Sequence, residues 1–387
     1  MPSRLIDETK EILEKLIAFP TISSNSNLTL IDYVSDYLEA LGARIFLQKS
    51  ECGQKANLFA TFGPESEGGI VLSGHTDVVP VEGQDWTSDP FTMVERDGRL
   101  YGRGTCDMKG FLACCMVTAR EIASLPLIRP LHLAFTYDEE VGCFGAKALM
   151  EELARRGIKP SAAIIGEPTL MRVIEGHKGC YEYTTNFVGL EGHGSQPDLG
   201  VNAIQYAARF ITHLVGMNEM LKQRSPQGSR FDPPWSTVQV GRIVGGAGRN
   251  IIAGSCSVEW EMRPVQPTDA ALVKSNLETF VTEQILPEMR KIWPGSGIET
   301  VTIGEIEGLQ VAERSEARDI VYAVTGANGA DVVAFGTEAG LFQEAVMSAV
   351  ICGPGSIEQA HKPNEYIEIE QIKVCLEMLS RLESKLV

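Results

Sequence analysis

The sequence predicts an α/β protein with a mixed sheet, helices on both faces of that sheet, and a smaller α+β domain inserted into it. Three observations lead to this fold class. Short apolar runs alternate with amphipathic helical stretches, the order of elements changes between 183 and 308, and the alternation then resumes to residue 387. Strands that alternate with helices are typical of α/β sheets, and a chain of this length exceeds what one core usually fills.

The N-terminal part supplies most of the α/β pattern. A stripe of Leu and Ile at helical spacing predicts a first helix, and a second helix should end before Gly42. Alternating residues on both sides of Asp97-Gly98 predict a hairpin. We expect the other elements of this part in the following order: helix 28–41, strands 44–48, 57–61 and 69–73, helix 108–123, strand 130–137, helix 143–156 and strand 161–166.

The middle of the chain has a different order of elements. We expect an antiparallel strand at 181–192, helix 201–219, strands 237–244 and 254–262, helix 268–286 and strand 299–306. This β-α-β-β-α-β order is that of a ferredoxin-like domain. The sequence therefore predicts one domain from 1–182 and 309–387, with a second domain, 183–308, inserted. Helix 315–325, strand 348–352 and helix 368–384 should complete the first domain.

The composition of the chain limits which binding partners and which cellular compartment we expect. A net charge of −17 disfavours binding to nucleic acid or to anionic membranes, and no apolar run approaches the roughly 20 residues of a membrane span. The acidic N-terminal helix resembles neither a secretory signal nor a transit peptide. Nine scattered cysteines without a CxxC pair indicate neither a disulfide framework nor a thiolate zinc site. We therefore expect a cytoplasmic protein.

Polar clusters follow the predicted buried strands of the first domain. Ligands bind at the carboxyl ends of strands in open α/β sheets, so these clusters should converge on one cleft. Each cluster taken alone is typical of a hydrogen-bonded turn, and only their joint occurrence indicates a site. They are His75-Thr76-Asp77, Asp107 in GRGTCDMKG, Asp138-Glu139-Glu140, Glu167 in GEPT, and His361 in HKPNE.

Imidazoles and carboxylates without thiolates suit a hydrolytic site for two divalent ions, Zn²⁺ or Co²⁺. Asp107 would bridge the two ions. One ion would also be bound by His75 and Glu167, and the other by Glu140 and His361. Glu139 would remain free to act as general base. The carboxylate of Asp77 could accept the second ring N–H of His75 and fix its tautomer.

These motifs resemble those of the M20 family of metallopeptidases and amidohydrolases. The resemblance rests on SGHTDVVP, GRGTCDMKG, TYDEEVG, GEPT and the late His361, in this order along the chain. It implies a zinc-peptidase-like catalytic domain with an inserted lid and dimerisation domain, the same ligand and base roles, and a cis peptide bond after Asp107. Within the family, GRGTCDMKGFLA, GHKG and FGTEAGLF look most like acetylornithine deacetylases.

The resemblance also implies roles for four residues whose sequence context alone indicates no function. His193 would stabilise the oxyanion, often across a dimer interface, although alone it is typical of a loop histidine. Asn250 would bind substrate rather than only form a turn. Arg263 would clamp the α-carboxylate of the substrate, although an exposed arginine is usually a solvated charge. Glu338 would contact the amino group of an ornithine-like side chain, although a glutamate at a helix entry would look the same.

The resulting hypothesis is hydrolysis of an N-acyl amino acid, with N2-acetyl-L-ornithine as the first candidate and a homodimer formed through the inserted domain. Three alternatives stay open. The protein could be a succinyl-diaminopimelate desuccinylase or a broader aminoacylase or dipeptidase. It could be a catalytically silent metal-binding protein, or a structural protein without metal. We interpret His132 and His213 as structural.

Overall fold

A computed structural model describes residues 3–387. The chain forms two compact units: the larger comprises the N-terminal part up to Gly176 together with Leu309–Val332 and Thr337–Val387, and the smaller comprises His177–Gly308 and Val333–Gly336. No helix in the described part of the chain has both the length and the apolar character needed to cross a bilayer.

Ten α-helices occur in the described residues. In chain order they are α1 Ser3–Ile17, α2 Leu28–Ala40, α3 Lys109–Ile122, α4 Phe144–Arg156, α5 Ala203–Gln223, α6 Pro267–Phe280, α7 Leu286–Ile292, α8 Glu316–Thr325, α9 Ala339–Glu344 and α10 Ile369–Arg381.

Seventeen strands are present in the same part of the chain. They are β1 Arg44–Lys49, β2 Ala56–Phe62, β3 Ile70–His75, β4 Val94–Arg96, β5 Arg99–Tyr101, β6 Leu131–Thr136, β7 Ala162–Pro168, β8 Ile174–His177, β9 Cys180–Val188, β10 Gly192–His193, β11 Thr237–Gly245, β12 Ile251–Ile252, β13 Ser255–Arg263, β14 Gly297–Ile306, β15 Asp331–Val333, β16 Ser348–Gly353 and β17 Tyr366–Glu368.

The main sheet is mixed and has eight strands in the order β1-β2-β6-β3-β7-β16-β8-β15, which confirms the predicted α/β class. Its four central strands, β6, β3, β7 and β16, run parallel to their neighbours in this set. Every residue of β3 and β6 is buried, as expected of strands covered on both faces. Since parallel strands end at the same edge, this edge collects the residues that follow all four.

A small antiparallel sheet has the strand order β17-β5-β4. Its strand β5 leads into the loop that carries Asp107. The predicted hairpin joins β4 to β5, and its two turn residues, Asp97 and Gly98, have φ values of 53° and 74°. Two successive positive φ values are those of a type I′ turn, which matches the twist of the flanking strands. Strand β17 pairs with β5, with Tyr366 opposite Tyr101.

The smaller unit contains a four-stranded antiparallel sheet in the order β11-β13-β9-β14. Burial alternates along β9 and β13, because one face packs on α5 and α6 around Phe187, Phe210 and Trp260. The helix predicted for 268–286 extends further, through a π-helical turn at Val281–Ile285 into α7. Pro287 lies just after this π-helical turn, and such single turns occur inside α-helices.

Candidate metal centre

The edge of the main sheet brings together the side chains that the sequence placed at strand ends. His75 is the last residue of β3 and Glu167 lies near the end of β7. Glu139 and Glu140 follow β6, Asp107 lies just before α3, and His361 lies in the loop after β16. All these residues belong to the larger unit.

Asp107 presents one carboxylate oxygen to each of the two histidines. Its Oδ1 lies 3.1 Å from His75 Nε2 and its Oδ2 lies 3.4 Å from His361 Nε2. Glu167 Oε1 is 3.8 Å from His75 Nε2, and Glu140 Oε2 is 2.9 Å from His361 Nε2. The cluster thus consists of two half-sites that share Asp107. A cis peptide bond joins Asp107 to Met108, which confirms the expectation from the resemblance.

The donor atoms fit divalent metal ions. Ligand atoms of His75, Asp107 and Glu140 all lie within 4.8 Å of one another, and so do those of His75, Glu139 and Glu167. Glu167 Oε1 is buried and accepts no hydrogen bond among the described residues, so this oxygen is available to a cation. Two imidazoles with carboxylates, and no thiolate in either group, are a set that Zn²⁺ and Co²⁺ accept.

The carboxylates of this cluster crowd each other in a buried place. Burial raises the pKa of Glu139 and of Glu167 well above the ordinary range, and neighbouring carboxylates add to the effect. Burial and the charge of Asp107 also raise the pKa of Glu140 to about 7. Burial opposes ionisation of Asp107 too, but hydrogen bonds from His361 and His75 hold its pKa below the ordinary value. Divalent cations would relieve this excess of negative charge.

The surrounding carboxylates favour the protonated form of both imidazoles. Hydrogen bonds to Asp107 and Glu140 raise the pKa of His361 to about 10. Burial works against a charge on His75, but its hydrogen bond to Asp107 and the nearby carboxylates outweigh burial and raise its pKa well above the ordinary value. Metal binding would displace these protons, because only a neutral imidazole can be a ligand.

Asp77 contacts this cluster differently from the prediction. The ring Nδ1 of His75 donates to the backbone carbonyl of Asp77 at 2.8 Å, whereas the Asp77 carboxylate is 3.7 Å from that nitrogen. The predicted carboxylate partner is therefore wrong, although Nε2 still faces Asp107. The Asp77 carboxylate instead accepts from Ser23 Oγ at 2.7 Å and from the amides of Glu139 and Glu140 at 3.1 and 3.4 Å. It holds the turn that carries these two glutamates.

Two supporting residues of that turn were not expected from the sequence. Ser23 donates to Asp77, and Lys55 forms a 2.5 Å ion pair with Asp138 while also donating to the carbonyl of Ser23. Asp138 has a φ of 56°, so its backbone turns sharply before Glu139. A serine and a lysine far from the site in sequence carried no signal that could have identified them.

Glu338 is buried in the larger unit against β3 and β6. It is 1% exposed and accepts hydrogen bonds from Ser73 Oγ at 2.5 Å and Thr136 Oγ1 at 2.8 Å. Burial raises its pKa above the ordinary value. Both hydroxyls come from the strands that end in the cluster, and a contact between Glu338 and the substrate stays a prediction.

The smaller unit brings two of its three predicted substrate residues together. His193 in β10 pairs with Ile251 in β12, and the amide of Gly194 donates to the carbonyl of Asn250 at 2.8 Å. Arg263 stands at the opposite end of β13, where it forms a 2.7 Å ion pair with Glu261. Strand β13 alone spans roughly 26 Å from Ser255 to Arg263 at the usual rise per residue, and Ser255 lies three residues after β12.

Comparisons with known proteins show which family of sequences the chain resembles. A profile of peptidase family M20/M25/M40 matches residues 71–384. An acetylornithine deacetylase of Proteus mirabilis is 36% identical over 379 residues, which cover 96% of this chain and 95% of that protein. An acetylornithine deacetylase of Photorhabdus laumondii is 37% identical over 383 residues, with coverage of 96% and 95%.

Solved structures share the fold at low sequence identity. An M20 family metallo-carboxypeptidase from Sulfolobus solfataricus superposes with a TM-score of 0.77 at 18% identity and covers 97% of this chain and 98% of that one. A dinuclear metal binding peptidase of the M20 family from Bacillus subtilis gives a TM-score of 0.67 at 16% identity, with 98% of both chains covered. These similarities support the fold of both units.

Proposed function

The chain belongs to peptidase family M20/M25/M40, and from this premise we propose that it is a metal-dependent hydrolase that converts N2-acetyl-L-ornithine to L-ornithine and acetate. The observation that carries the proposal is the buried cluster in which Asp107 faces His75 with one oxygen and His361 with the other. The near full-length similarity to acetylornithine deacetylases supports this substrate over other N-acyl amino acids.

In this proposal His75, Asp107 and Glu167 hold one ion, and Asp107, Glu140 and His361 hold the other. Zn²⁺ or Co²⁺ ions, when bound, lower the pKa of water and polarise the acyl carbonyl. Glu139 is the general base, because it lies in the cluster with His75 and Glu167 and its raised pKa suits both accepting and returning a proton. It would take the proton of the attacking water and pass it to the leaving α-amine.

The substrate contacts form the second part of the proposal. Arg263 binds the α-carboxylate in bidentate fashion, and Glu338 interacts with the distal amino group. His193 stabilises the oxyanion and Asn250 helps to orient the substrate. Because Arg263 lies at the far end of β13 from the β10–β12 ribbon, we infer that one chain does not supply both Arg263 and His193 to the same substrate.

A homodimer through the smaller unit resolves this separation, with His193 and Asn250 acting in the site of the other copy. An edge of the small sheet supports it: β11 is an edge strand, and its Ile243 and Val244 are 47% and 52% exposed. An edge strand with exposed apolar side chains favours pairing with a second strand. We also propose a cytoplasmic location, which suits nine cysteines that are scattered without the regular spacing of a disulfide framework.

A substrate panel tests the proposed function. The purified protein is treated with a chelator, reloaded with Zn²⁺ or Co²⁺, and assayed on N2-acetyl-L-ornithine, N-succinyl-diaminopimelate, other N-acetyl amino acids and dipeptides. We expect metal-dependent release of acetate, with the highest kcat/KM on N2-acetyl-L-ornithine. A preference for the succinylated substrate would indicate a desuccinylase instead. Activity that survives metal removal, or no activity on any member of the panel, would refute the proposal.

A further inference from the structure

A buried ion pair joins the two loops that carry Asp107 and His361. Arg103 Nη1 lies 2.7 Å from Glu365 Oε2, and the two side chains are 1% and 0% exposed. Arg103 stands four residues before Asp107, and Glu365 stands four residues after His361. Each loop thus supplies one candidate ligand and one member of the pair.

The carboxylate of Glu365 organises the backbone that leads to Asp107. Its Oε1 accepts hydrogen bonds from the amides of Cys106 and Asp107 at 2.8 and 3.0 Å. The amide of Gly104 lies 3.1 and 3.0 Å from its two oxygens. An ionised carboxylate that accepts several backbone N–H groups makes strong, charge-assisted hydrogen bonds. The loop is therefore wrapped around Glu365 up to the residue that bridges the two half-sites.

The guanidinium of Arg103 extends the same network to the other loop. Arg103 Nη2 donates to Gln84 Oε1 at 2.7 Å, and Gln84 Nε2 donates to the carbonyl of His361 at 2.9 Å. Arg103 Nη1 also lies 3.4 Å from the carbonyl of Lys362. The backbone of His361 is thus tied through Gln84 and Arg103 to the group that holds Asp107.

Strand pairing also aligns the two loops. Strand β5 leads into the loop of Asp107, and β17 follows the loop of His361. The amide of Gly102, the residue after β5, donates to the carbonyl of Glu365 at 3.0 Å. The register that pairs Tyr101 with Tyr366 therefore places Glu365 next to the start of the Asp107 loop.

We propose that Glu365 is a positioning residue which, with Arg103 and Gln84, sets the distance between Asp107 and His361 and thereby the spacing of the two ions. The proposal rests on the proposed metal-dependent function and adds residues that contact no substrate. A buried ion pair adds little to stability compared with apolar residues of similar volume. Groups around metal ligands, in contrast, commonly change metal affinity or activity 10- to 100-fold.

The first variant is Glu365→Gln, with Glu368→Gln as a matched control. Glu368 lies three residues further on and forms a partly exposed ion pair with Arg99. Titration with Co²⁺ alone, followed by visible absorption, measures affinity and ligand geometry in each protein. We expect Glu365→Gln to bind Co²⁺ about 10- to 100-fold more weakly, with an altered spectrum. At saturating Co²⁺ its kcat should fall while KM stays within about twofold, because no substrate contact is changed.

Gln84→Leu tests the link to His361 and remains decisive if Glu365→Gln does not fold. This variant should weaken the second Co²⁺ equivalent about tenfold and change the first much less, since Gln84 contacts the backbone of His361 directly and the Asp107 loop only through Arg103. Wild-type affinity and spectrum in Glu365→Gln, or in Gln84→Leu where the first does not fold, would overturn the positioning role. If the wild-type protein itself binds no Co²⁺, the proposed function fails instead.

Discussion

Single residues in the cluster differ in their hydrogen-bond partners, and these differences support the different roles that we propose for them. Glu139 and Glu140 are adjacent in sequence, yet only Glu140 lies against an imidazole, at 2.9 Å from His361. The carboxylate of Glu139 accepts a hydrogen bond from the thiol of Cys143 at 3.6 Å and lies within 4.8 Å of His75 and Glu167. A carboxylate without a strong partner can exchange a proton, whereas one paired with a ligand histidine is suited to bind an ion. We therefore propose different roles for these two neighbouring glutamates.

We expect Glu139→Gln to retain two bound ions and to lose most turnover, with kcat reduced about 10²- to 10⁴-fold, because the amide cannot accept the proton of water. Metal content after gel filtration and kcat on N2-acetyl-L-ornithine are the measurements. Glu151→Gln, an exposed change in α4, should behave like the wild type. A Glu139→Gln protein with near-normal kcat would exclude Glu139 as the base.

His132 should make stability depend on pH. It is 4% exposed and contacts Thr61 Oγ1 at 2.9 Å, and burial, with the charge of Arg44 nearby, lowers its pKa from 6.5 to about 4. The unfolded chain therefore binds a proton in this range that the folded chain does not. The stabilisation from a neutral His132 is full above pH 6.5 and is lost as the pH falls towards 4.

Replacement of this histidine isolates its contribution. Between pH 7.5 and pH 5, His132 should account for a loss of about 2 kcal/mol in the free energy of unfolding. His132→Gln should be less stable than the wild type at pH 7.5, yet should lose about that much less on acidification. Urea unfolding at both pH values, with equal metal content in both proteins, measures the difference. Equal losses in the two proteins would show that His132 is not the group responsible.

At the level of elements, the β4–β5 turn depends on one glycine. Gly98 has a φ of 74° and no atom within 4 Å of an added Cβ, so Gly98→Ala introduces backbone strain but no clash. We expect a loss of about 1 kcal/mol in the free energy of unfolding. Gly297→Ala is the control, because Gly297 also has open space around it but no positive φ. Urea midpoints that shift equally in both variants would contradict this account of the turn.

The elements and the site differ in how far the sequence could predict them. Long apolar runs and the Asp97-Gly98 turn carry strong local patterns, so the α/β class and the β4–β5 hairpin were predictable. Short strands such as β8 and β15 are too brief for such a pattern. Residues that follow strands were identified because parallel strands share an edge. Arg103 and Glu365 were not, because a charged residue in a loop looks solvated until its partner is known.

For the whole molecule, a mixing experiment tests whether His193 acts in the site of a second copy. Glu139→Gln and His193→Ala should each be nearly inactive alone. In a mixed dimer, one of the two sites would combine an intact Glu139 with an intact His193. An equal mixture that exchanges subunits freely should therefore regain roughly a quarter of wild-type activity in a symmetric dimer. No recovery despite proven subunit exchange would place His193 in the site of its own chain.

The two halves of the cluster are not equally open to water. The imidazole of His361 is 54% exposed, whereas that of His75 is 1% exposed. An ion bound beside His361 would exchange with the surrounding solution quickly, and one bound beside His75 would be released slowly. During dilution or mild chelation the protein would therefore pass through a half-loaded form that keeps its deeper ion. Its activity would then depend on the free metal concentration in two separate steps.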